Sequence, residues 1–172
     1  MRHGYLLLVA AALPLGACSK PASPTAQLYA RVPVPAVPDH TTAIANPLRD
    51  GQYWATTLEA TSSQLIFIVV QATFDASCTV APTADGCSNG FAIEESPTAK
   101  ITAAPGQLTV VTVVAGNGQN YAIDGTELAG LVGGAAPSAK ARIDFRYTAG
   151  PYLVTVSAGV VVAANEIAPV AG

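Results

Sequence analysis

From residue 50 onward, short runs rich in Val, Ile, Thr and aromatic residues alternate with clusters of Gly, Pro, Asn and Ser. That spacing predicts strands joined by turns. Residues 53–60 and 64–70 flank Thr61-Ser62-Ser63 and read as a first hairpin. Its second strand is apolar without a break, so it is expected to be buried. Residues 71–74 are read as a helical turn leading into a loop between Cys78 and Cys87, and 91–93 as a short strand. Residues 100–103 and 107–114, joined at Pro105-Gly106, read as a second hairpin, and 116–120 interrupt the pattern before a pairing segment at 121–123. Residues 124–131 fit a short helix or a loop equally well, and 133–137 read as a flexible stretch. In 140–147 charged and apolar positions alternate with the period of a strand wet on one face. Residues 152–156 and 160–164, turning at Ser157-Ala158-Gly159, make a third hairpin.

About six to eight strands with short turns and at most one or two short helices define an all-β class of mainly antiparallel hairpins. The expected architecture is a β-sandwich or a small β-barrel, and residues 49–172 hold a single β domain.

The first segment has a different grammar. Arg2 and His3 precede an apolar run at 5–13, then Pro14 and Leu15-Gly16-Ala17-Cys18. This is the layout of a signal peptide over residues 1–17, far short of the roughly 20 apolar residues a spanning helix needs. Plain secretory cleavage wants a small residue at −3, where Leu15 stands. Leu15-Gly16-Ala17-Cys18 instead resembles the lipobox of bacterial lipoproteins. The resemblance implies cleavage before Cys18, a diacylglyceryl thioether on its sulfur and an acylated amino group. The bilayer is then a partner, since two or three chains anchor stably where one is marginal. Ser19, in place of a retaining aspartate, implies the outer membrane, facing the periplasm, in a Gram-negative host.

Pro21, Pro24, Pro33, Pro35, Pro38 and Pro47 punctuate the next stretch. Residues 18–48 are therefore expected to be the lipidated cysteine and a Pro-rich tether, extended at about 3.1 Å per residue and reaching roughly 90 Å. A ligand for a Pro-recognising domain is the less common use of such a run.

Composition mainly excludes. The formal net charge is −3, and the basic residues are scattered, with Lys140, Arg142 and Arg146 on one strand-like stretch, so nucleic acid is not an expected partner. Cys78 and Cys87 form an even pair in an exported chain and are expected to close a disulfide, contributing roughly 2.5 kcal/mol. As a zinc site the two thiols lack further ligands, and no metal or other cofactor is expected. Beyond the signal segment the one histidine is His40, in the tether, so His-based triads have no rigid base. Glu94 and Glu95 would point to opposite strand faces. Asp75, Asp85 and Asn89 do not follow the order of a calcium loop. Gly116-Asn117-Gly118 and Gly130 with Gly133-Gly134 lack the spacing and lysine of a phosphate cradle. Tyr53, Trp54, Tyr147 and Tyr152 are the candidate ligand surface, weighed against the commoner use of such aromatics in core and rim.

Asp50-Gly51-Gln52-Tyr53-Trp54, Phe67 with Gln71 and Phe74, and Pro151-Tyr152-Leu153-Val154-Thr155-Val156 with Gly159 carry a second resemblance. Over residues 50–168 the chain is similar to a group of uncharacterised exported bacterial proteins that open on an Asp-Gly-x-Tyr-aromatic strand and close on a Tyr-x-Val-x-Val hairpin. In that group an acidic residue follows the Phe, where Ile68 stands here, so no role for that acid carries over. The resemblance implies an envelope setting and a β fold, and it names no activity. The expectation is a non-catalytic binding or structural module of the envelope that takes a protein, glycan or small apolar ligand. The alternative is a carboxylate-dependent hydrolase of envelope polymers, resting on eleven acidic residues.

Overall fold

The structure is a computed structural model that describes residues 27–38, 40–61, 63–74, 87–88, 91–93, 99–145 and 150–167. Its strands are β1 (Gly51–Ala60), β2 (Leu65–Val70), β3 (Ala72–Phe74), β4 (Cys87–Ser88), β5 (Phe91–Ile93), β6 (Ala99–Ala103), β7 (Val110–Val114), β8 (Asn120–Ile123), β9 (Tyr152–Ser157) and β10 (Val160–Glu166). One α-helix is found among the described residues, α1 (Gly125–Val132). The all-β class is thus observed. The main sheet has seven strands in the order β6-β2-β1-β9-β10-β7-β8, and β3-β5-β4 form a second, small sheet. The large sheet curls into a half-barrel, bringing β6 at one edge back toward β10.

Both faces of the central strands are covered, which is why their sequences run apolar without alternation. On the concave side Tyr53, Phe67, Val69, Val154 and Val156 pack with Leu128 and Leu131 of α1. Trp54 points the other way and packs with Val70, Leu153 and Ile167. A leucine taken fully out of water, as Leu128 is, contributes about 2 kcal/mol. In β10, Val161 and Ala164 both face inward although three positions apart; an irregularity in the register between Val161 and Ala163 absorbs the odd residue.

The first and third expected hairpins are present as β1/β2 and β9/β10. The second is not. β6 pairs with β2, whereas β7 runs parallel to β10 and antiparallel to β8, on the far side of the sheet. Between them residues 105–107 form a 3-10 turn that carries the chain across, and α1 sits down on it. A Cβ on Gly125 would collide with the Pro105 carbonyl oxygen, so only glycine permits that approach. Residues 72–74, expected to turn helically, are β3 and pair with β5. Residues 140–145 are not a strand despite their alternation. Arg142 has φ 53°, which breaks the extended run, and only Phe145 bridges to Ala115. Residues 124–131 resolve to the helix, because the Asp124 side chain accepts from the Glu127 amide at 2.8 Å and caps it.

The largest correction concerns the tether. Between residues 28 and 48 the chain is fastened to the domain at two places, residues 29–32 and 42–48. Tyr29 N–H donates to Ala122 O at 2.7 Å, Val32 N–H to Asn120 O at 3.0 Å, and Ala122 N–H to Ala30 O at 3.0 Å. Thr42 N–H then donates to Gln52 O at 2.8 Å, and Ile44 and Leu48 pack against the core. The segment reads as linker by composition, but β8 offers an unpaired edge, and pairing that edge satisfies backbone groups on both segments. Residues 28–48 are therefore a strap, and the domain begins within what reads as linker.

Candidate functional site

Two features of the strap sequence shape its first half. Tyr29 takes a positive φ of 65°, and its ring stacks on Phe145 with centroids 6.4 Å apart. Its hydroxyl lies beside Ser138 and Glu127. The Ser138 hydrogen bond pulls the phenol pKa down, but the hydrogen bond to the Glu127 carboxylate, burial, and the charges of Glu127 and Asp124 together hold it above the usual tyrosine value. Pro33 and Pro35 then have no N–H to give. Pairing with β8 ends at Val32, and the strap leaves the sheet edge.

Where the strap departs, a groove of about 520 Å³ lies between it and the sheet. Leu28, Val32 and Pro33 are on the strap side, and Val110 and Ile123 are on the sheet side. Polar groups are few: Thr109, Thr112 and Asn165, with Asp124 the one charged lining residue. The volume and the predominance of apolar walls with a few placed polar atoms are those of a small-molecule site. Leu28 and Val110 are 47% and 44% exposed, large for aliphatic residues and unexplained by packing.

Behind the groove the polar groups are tied into the sheet. The β10/β7 ladder runs as far as Asn165 opposite Thr112, and Thr112 Oγ1 donates to Asn165 Oδ1 at 3.0 Å. One residue on, the Glu166 carboxylate takes the place of a backbone acceptor: Val114 N–H donates to Glu166 Oε2 at 2.7 Å. Asn120 Nδ2 donates to the Glu166 carbonyl at 2.8 Å. Glu166 is 3% exposed, so this carboxylate is a structural acceptor in the sheet.

A pair of carboxylates does share a concavity. Asp124 and Glu127 line a shallow hollow of about 310 Å³ with Tyr29 and Ser138. Both are engaged by backbone amides, Asp124 by Glu127 N–H at 2.8 Å and Glu127 by Ser138 N–H at 2.9 Å. Those bonds cap α1 and fix the chain after it, and the hollow is wide open to solvent.

Of the four aromatics expected at a ligand surface, Tyr53, Trp54 and Tyr152 are 1%, 1% and 0% exposed. They are core residues on the two faces of the sheet and offer no surface to a ligand, because strands covered on both sides bury both side-chain sets. Tyr147, Cys18 and Cys78 lie outside the described residues, and Cys87 is placed only as backbone in β4, so the expected lipidation and the Cys78–Cys87 disulfide fall outside them too. Asp75, Asp85, Asn89, Glu94 and Glu95 also lie outside them. Among the described residues no three His, Cys, Asp or Glu side chains gather as metal ligands, and no helix is long and apolar enough to cross a membrane.

The groove itself escapes sequence reasoning, because its two sides are 80 residues apart in the chain, Leu28 to Leu108 being typical. One signal is present: Leu28 and Val32 are more apolar than a solvated spacer requires. Comparison of the chain with protein-family models, with curated proteins and with solved structures finds no match in any of the three.

Proposed function

We propose that the chain is a lipid-anchored protein of the bacterial envelope whose β domain holds an apolar molecule, or the apolar part of one, in the groove between the strap and β7/β8. The observation that carries the binding role is that groove: about 520 Å³, walled mainly by aliphatic side chains and proline, with exposed Leu28 and Val110 at its sides. The anchoring role rests on Leu15-Gly16-Ala17-Cys18 following a short apolar run, with lipid on Cys18 and the outer membrane as its site in a Gram-negative host. Cys78 and Cys87 close a disulfide in that oxidising setting. No catalytic role is assigned, since Asp124 and Glu127, which share a hollow among the described residues, are each held by a backbone amide.

Two measurements test the two halves. Cys18→Ser should shift the protein from the membrane fraction to the soluble envelope fraction; a protein that stays in the membrane fraction contradicts the anchor. The purified protein should take up a naphthylamine dye that brightens in apolar surroundings, with saturation at one dye per chain. Dye emission that never rises, or rises without saturating, contradicts the binding role.

A further inference from the structure

We propose that the outer face of the strap lies on the membrane surface, so that the domain is docked on the bilayer and does not project from it; this rests on the lipid anchor proposed for Cys18. Three observations converge on it. The exposed large hydrophobic residues among those described are Leu28, Val34, Val37 and Val110, three on one stretch of strap and the fourth across the groove from it. Val34 and Val37 are 58% and 38% exposed, do not line the groove, and have the exposed Ala36 between them. Exposed aliphatic side chains grouped in this way are a mark of an interaction surface.

Charge agrees. The chain as a whole is acidic, yet residues 18–38, from the proposed anchor through Val37, contain Lys20 and Arg31 and no carboxylate, the strap's one acid being Asp39 just beyond them. Arg31 is exposed on the same strap. A basic residue beside apolar ones suits the interface of an anionic bilayer, where the cation meets headgroups and the aliphatic side chains enter the acyl boundary.

Chain length completes the argument. With residues 28–48 taken up by the strap, the chain from Cys18 to Leu28 can span at most about 35 Å whatever its conformation. That is about the width of a globular domain of this size, so the anchor keeps the strap end of the domain within contact range of the bilayer. The groove then opens beside the headgroups.

The test uses the mature lipidated protein, purified from membranes and reconstituted into vesicles of phosphatidylethanolamine and phosphatidylglycerol, part of the lipid carrying brominated acyl chains. V34W puts an indole on the strap, and K100W puts one on the exposed face of β6 at the opposite edge of the sheet. Buried Trp54 is common to both and sets the background. The expected result is loss of V34W emission on bromination with K100W unaffected. Equal quenching of the two, or a V34W signal untouched by bromine, overturns the docked orientation, and a blue-shifted but unquenched V34W signal assigns the face to a protein partner or a second copy instead. Mass spectrometry of the same sample separates this failure from failure of the anchor: a chain without acyl groups refutes the anchor, and a lipidated but unquenched one refutes the docking.

Discussion

The backbone N–H of Val32 donates to the carbonyl of Asn120 at 3.0 Å, and the next residue, Pro33, cannot continue the ladder. This one junction converts a Pro-rich segment into a strap: before it the chain completes the sheet, and after it the chain departs and walls the groove.

Removing that junction should free the strap. Val32→Pro deletes the donor and leaves the Asn120 carbonyl without it, at a cost of about 1 kcal/mol. Hydrogen exchange should quicken at the Tyr29 and Ala122 amides while the β9/β10 amides keep their protection. Unchanged exchange at Ala122 would mean the strap is held by other contacts.

Alkaline pH should loosen the same region. Folding holds the Tyr29 phenol above its usual pKa, so the folded state favours the neutral form. Its contribution is fully present below the unfolded value of about 10 and is lost as pH rises through the higher folded value. Proteolysis within the strap should therefore accelerate above about pH 10, and Tyr29→Phe should remove the part of that rise which follows phenol ionisation. A profile identical in Tyr29→Phe would assign the pH effect elsewhere.

Glu166 should matter for stability through its acceptor more than through its charge. Glu166→Ala leaves the Val114 N–H in a buried site without its carboxylate, costing about 1–3 kcal/mol, whereas Glu166→Gln keeps an acceptor oxygen and should cost less. Urea unfolding of the two variants checks the order. Equal losses would show that charge, and not the hydrogen bond, sets the contribution.

The β9/β10 turn can be improved. Ala158 and Gly159 both have positive φ, 50° and 76°, as a two-residue turn of this hand requires, and Ala is a poor choice for the first position. Its amide is held by Asp50 Oδ1 at 2.8 Å, which keeps the turn closed despite the misfit. Ala158→Asn should raise stability by up to about 1 kcal/mol in the same urea assay, because Asn tolerates the left-handed region that costs alanine roughly that much, and a decrease would show that the side chain at 158 has a packing role.

These relationships mark where the sequence is readable. The β1/β2 and β9/β10 hairpins are legible because each joins neighbouring strands through a short polar or Gly-containing turn, so local chemistry decides the pairing. The partners of β6 and β7 are not, since a Pro-Gly pair between them looks like a hairpin turn, and the choice between β2 and β10 as neighbour is settled only by closure of the whole sheet. The alternation in 140–145 misleads because a single positive φ at Arg142 undoes it. Val32-Pro33-Val34-Pro35 reads as spacer, because proline content gives no sign that β8 has a free edge to fill. Tyr53, Trp54 and Tyr152 were visible as aromatics, but that Tyr53 and Trp54 face opposite ways into two cores follows from the sheet alone.

The groove is tested most directly by dye titration of the wild type beside Val110→Glu. Residue 110 is 44% exposed and lines the groove, so a carboxylate there should leave the core intact and must lose water when an apolar ligand enters. The wild type should bind the dye saturably, and Val110→Glu should weaken binding by at least about tenfold, the equivalent of 1.4 kcal/mol, with unchanged urea stability. Equal affinity in the two proteins would contradict the groove as the binding site.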